Sequence, residues 1–79
     1  MNNIEKYSAI FCKALEVEDK DLEGLKYQDV MGWDSIGHMN LISELEECFD
    51  IMLETDDIVD FSSFEKGMEI LKKKYGIQF

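Results

Sequence analysis

Helical periodicity recurs three times in this 79-residue chain, and no other feature restricts its fold as much. Over roughly residues 3–16, Ile4, Tyr7, Phe11, Ala14 and Leu15 fall on one face at helical spacing. Near the other end, Phe64, Gly67, Met68, Leu71 and Tyr75 line a second stripe. Residues 35–50 give the third pattern. At about 100° per residue, His38, Leu41, Ile42, Leu45, Cys48 and Phe49 gather on the core side. Ile36, Asn40, Ser43, Glu47 and Asp50 gather opposite, with Glu44 and Glu46 on the margins. A short helix, roughly Asp56 to Phe61, is expected to cross between the second and last long helices. Ser62-x-x-Glu65 reads as a capping box opening the last helix, and Lys72-Lys73-Lys74 before Gly76 as cations at its negative end.

These patterns predict an all-α chain: a small four-helix bundle with a long loop between helices 1 and 2 and a short third helix. The loop, about residues 17–34, is punctuated by Gly24 and Gly32, with Leu22, Leu25, Val30 and Met31 as expected anchors on the core. A loop this long in a compact domain is usually functional. The chain has no Pro, no internal repeat and no low-complexity tract, so residues 1–79 are expected to form one domain. That length is near the lower limit at which a core holds without staples.

Cys12 and Cys48 lack metal-ligand spacing and there is one His, so a zinc site is improbable and both thiols read as reduced and half-buried. Asp19-x-Asp21-x-Glu23-Gly24 imitates a calcium loop, but Val30 stands where the bidentate Glu is required, so no metal is expected. The start Met1-Asn2-Asn3-Ile4-Glu5-Lys6 is not that of a signal peptide, and no stretch has the length of a membrane span. A cytoplasmic location is expected. Residues 27–65 hold eleven acids and no Lys or Arg, within a net charge of −10. Nucleic acid is thereby excluded as a ligand, and partners with basic docking patches are favoured.

Within that acidic middle, Trp33-Asp34-Ser35-Ile36 sets a serine where the loop turns into the second helix. No base is in evidence to activate Ser35 as a nucleophile, which argues against an enzyme and for modification by another protein. Asp34 and Ser35 also have a plain reading as helix N-caps. Gly37 argues for more, because glycine in a first turn costs about 1 kcal/mol against Ala. It leaves room for another backbone, or for a bulky group on Ser35. His38, one turn along, is either a boundary residue or the mouth of a cavity beside Ser35.

Trp33-Asp34-Ser35-Ile36-Gly37-His38-Met39, continued by Leu41-Ile42-Ser43-Glu44-Leu45-Glu46-Glu47-Cys48-Phe49, resembles the acyl carrier proteins and related phosphopantetheine-dependent carrier domains. The resemblance spans the whole chain. It implies a non-catalytic, monomeric carrier that holds acyl or aminoacyl intermediates as thioesters on 4′-phosphopantetheine attached to Ser35. A phosphopantetheinyl transferase would install that arm from coenzyme A with magnesium, recognising Asp34. Ile36, Met39, Glu46 and Glu47 would lie on the helix that docks on loading enzymes and on downstream transferases or synthases. Gly37-His38, Asn40 and Glu54 depart from the fatty-acid branch and lean toward specialised polyketide, aminoacyl or surface-glycan pathways. The rival reading is a small acidic helical adaptor without a prosthetic group, in which Ser35 only caps a helix.

Overall fold

The computed structural model describes residues 2–79. Four helices follow one another: α1 (Asn3–Leu15), α2 (Ser35–Phe49), α3 (Thr55–Asp60) and α4 (Phe64–Tyr75), with a 3-10 turn at Asp19–Asp21 in the loop after α1. The described residues form an all-helical bundle with the long first loop and short third helix that the spacing predicts.

Local chemistry starts and stops each helix. Asn2 and Glu5 form a reciprocal capping box at the head of α1. Asp34 caps α2 and Ser63 caps α4. Glu16 and Asp50 end α1 and α2 in the left-handed conformation, where Gly76 ends α4. Ser63, rather than Ser62, is the α4 cap, its hydroxyl accepting from the Lys66 N–H at 2.9 Å. Ser62 is committed elsewhere, its carbonyl accepting from the Tyr27 N–H at 2.9 Å. Glu65 reaches across to the Gly24 N–H at 3.0 Å instead of back to its own helix start.

The core is aromatic at its centre. Tyr7, Phe11, Trp33 and Phe61 are fully enclosed, with Leu15, Leu41, Ile42, Leu45 and Leu71 around them. Phe11 meets the Trp33 ring edge-on at 5.5 Å and stacks on Phe61 at 6.1 Å. Gly67 lets α4 approach this cluster, since a Cβ there would strike Phe61 and the Tyr7 hydroxyl. That hydroxyl donates to the Phe64 carbonyl at 2.7 Å. Leu22 and Leu25 anchor the loop as expected and Val30 is half-buried. Met31 is not an anchor: it is 97% exposed. It sits at the tip of a tight turn whose ends are joined by the Gln28 N–H donating to the Trp33 carbonyl at 3.1 Å. Both cysteines are free; Cys12 is half-buried, but Cys48 is exposed, at the margin of the α2 core stripe.

Candidate functional site

The backbone around Ser35 is fixed from both sides. Upstream, the buried Trp33 side chain pins the end of the loop. Downstream, Asp34 Oδ1 accepts from the Gly37 N–H at 2.8 Å, and the Asp34 carbonyl accepts from the His38 N–H at 2.8 Å. Asp34 therefore does the capping that Asp34 and Ser35 could each have done. Ser35 is the first residue of α2, is exposed, and its hydroxyl makes no hydrogen bond among the described residues. A helix start held rigid by its neighbour presents a hydroxyl free for modification.

Gly37 is buried and has a cause inside the chain. A Cβ there would collide with the Gly32 carbonyl oxygen, just as one on Gly32 would collide with the Leu15 carbonyl. The close backbone is thus the protein's own loop, drawn against the first turn of α2. The glycine pair lets α1, the loop and α2 meet directly behind Ser35.

His38 is half-buried and joins three elements. The Trp33 indole N–H donates to its Nδ1 at 2.9 Å, and its Nε2 lies 2.8 Å from the Ile58 carbonyl oxygen in α3. Tyr27, Trp33 and Phe61 surround the ring, with centroids at 5.4, 6.2 and 6.1 Å. Tyr27, His38, Ile58, Val59, Phe61 and Ser62 line a cleft of about 250 Å³ one helical turn from Ser35. A larger open groove of about 880 Å³, between α1, the 3-10 turn and the start of α4, shares none of the predicted site residues.

On the outer face of α2, Ile36 is 74% exposed and Met39 53%, and both sit within one turn of Ser35. Met31 in the loop and Val59 in α3 are likewise exposed. Glu47 is exposed, whereas Glu46 is half-buried and its carboxylate accepts from the Leu53 N–H at 2.8 Å, tying α2 to the segment before α3. No acid occupies the first turn of α2. The acids of the calcium-like stretch have local partners: Asp21 accepts from the Glu18 N–H, and Asp19 from the Cys12 thiol. Burial, followed by that bond, pushes the Cys12 thiol above its ordinary value, so it stays protonated at neutral pH. Among the described residues no three His, Cys, Asp or Glu side chains are placed to hold a metal ion.

One arrangement has no signature in the sequence. Asp57 in α3 is buried and accepts from Lys74 Nζ and from the Tyr75 hydroxyl, each at 2.6 Å. The Tyr75 oxygen in turn accepts from the Glu54 N–H at 2.9 Å. The bond from Lys74, and then that from Tyr75, hold the Asp57 carboxyl below its ordinary range, while the bond to Asp57 raises Lys74. This network locks the short helix that carries Ile58 and Val59 onto the end of α4. The lysine run is thus more than a dipole complement, though nothing in its spacing betrays a partner in α3.

Residues 8–66 match the family described as "Phosphopantetheine attachment site". The chain is also 30% identical over 76 residues to a protein of Buchnera aphidicola subsp. Schizaphis graminum named "Acyl carrier protein", an alignment covering 94% of this chain and 96% of that one. No solved structure matches it.

Proposed function

This chain belongs to the phosphopantetheine attachment-site family and is a carrier rather than an enzyme, and on that premise we propose that Ser35 is its attachment site. The cofactor is covalent 4′-phosphopantetheine, which supplies the thiol on which cargo is held as a thioester. The observation carrying the assignment is the division of labour at the head of α2. Asp34 caps the helix, so the exposed Ser35 hydroxyl is left with no structural duty. The site fits the group: a single hydroxyl at a rigid helix start, with open space before it and a cleft one turn away.

We read residues 1–79 as one monomeric carrier unit whose cargo is acyl, by analogy with the named relative; an aminoacyl cargo uses the same thiol chemistry. Ile36 and Met39, with Glu47 on the same face, form the surface that meets the phosphopantetheinyl transferase and the loading and downstream enzymes. Asp34 serves recognition by that transferase through the turn it builds. An exposed free thiol, Cys48, suits the reducing cytoplasm; no helix of the described residues is long and apolar enough to cross a membrane.

The test is intact mass after incubation with coenzyme A, magnesium and a broad-specificity transferase. Wild type gains one phosphopantetheine; Ser35→Ala gains none while keeping the wild-type melting temperature, since Asp34 remains the cap. Modification of the alanine variant, or an unmodified wild type, refutes the assignment.

A further inference from the structure

We propose that His38 is the positioning residue of the serine-bearing turn, acting as a neutral clasp between the loop, α2 and α3. The hydrogen-bond partners of the ring fix its state. An indole N–H can only donate, so the Trp33 bond at 2.9 Å requires a lone pair on His38 Nδ1. The Ile58 carbonyl can only accept, so the 2.8 Å contact requires a proton on Nε2. One state of the ring meets both demands: neutral, with its proton on Nε2. Trp33 is fully enclosed, and Trp33 and His38 flank Ser35 on either side in sequence. The ring therefore ties the residue two before the serine to the residue three after it, and ties both to α3. Losing the clasp leaves a buried indole donor unpaired and frees the cleft wall formed by Ile58 and Val59.

The kinetic part of this inference rests on Ser35 being the attachment site; the structural part does not. If His38 positions the hydroxyl while Ile36 and Met39 supply docking, its removal acts on turnover of the carrier by the transferase and not on its KM. His38→Phe keeps a ring against Tyr27 and Phe61 but neither hydrogen bond. His38→Gln restores an acceptor and a donor on one planar group. The expected result is a fall of roughly tenfold in kcat for His38→Phe at unchanged KM for the carrier, with substantial recovery in His38→Gln. Nitrogen-15 NMR of the wild-type chain, which has one His and one Trp, reads the clasp directly. It should show protonated Nε2, unprotonated Nδ1, and an indole proton slow to exchange that becomes fast in His38→Phe. A ring protonated on Nδ1, or a fast-exchanging wild-type indole, overturns the clasp. A correct tautomer with wild-type kcat in His38→Phe, or with KM alone changed, overturns the positioning role. A wild type that takes no phosphopantetheine sinks the Ser35 assignment and with it the role at Ser35, while the NMR still decides the clasp.

Discussion

Gly37 owes its place to a neighbouring carbonyl rather than to flexibility. The usual rule makes Gly→Ala in a helix stabilising by about 1 kcal/mol. Here the added methyl group meets the Gly32 oxygen, a backbone atom that cannot rotate aside. Overpacking of that kind costs about 1–3 kcal/mol, so the collision outweighs the propensity gain. Gly37→Ala is therefore expected to lower the denaturant midpoint at unchanged slope; a variant more stable than wild type would contradict the close approach. Glycine's cost was readable from the sequence. The identity of the crowding group was not, because Gly32 and Gly37 face each other only once the loop has folded back on the helix.

At the level of elements, α3 is the shortest helix and depends on its connections. Asp57, with its carboxyl held below the ordinary value of 3.8, stabilises the fold fully above that value. That contribution fades as pH falls through the lower folded-state value. Lys74 is raised, so its share persists through neutral pH and fades only as pH climbs past its ordinary value toward the folded one. Asp57→Asn should melt earlier at neutral pH, and its difference from wild type should narrow below about pH 4. Thermal melts across a pH series check this; a gap that widens in acid would reverse the assigned sign. The second test concerns α2. Glu46→Lys removes the acceptor of the Leu53 N–H and should destabilise the fold, while Glu47→Lys breaks no such bond, relieves repulsion among the acids and should keep or raise the melt while slowing association with the transferase. Equal melts for the two would remove the distinction drawn between them. The bundle, the three long helices and the serine's place were legible because they depend on local period and on cap residues. Choosing Ser63 over Ser62, exposing Met31 and pairing Asp57 with Lys74 all depend on contacts between distant segments, and no local pattern encodes those.

Taken as a whole, the molecule folds against its own charge. Eleven acids across residues 27–65 face no Lys or Arg within that span, and of the eight lysines Lys74 alone is paired with an acid of that stretch at under 3 Å. Added salt or millimolar magnesium should raise the melting temperature by screening the acids, and a melt indifferent to ionic strength would count against this. The same molecule also holds an unused reserve of stability. Glu16 and Asp50 stop their helices with φ of 58° and 54°, a backbone state that strains side-chain-bearing residues by about 1–2 kcal/mol and suits glycine. Glycine at either site should stabilise the fold relative to alanine at the same site, a comparison in which the lost charge cancels. A lineage of this protein could thus offset a costly substitution elsewhere with one exchange at a helix end, and Asp50 offers it at the opposite end of α2 from the serine.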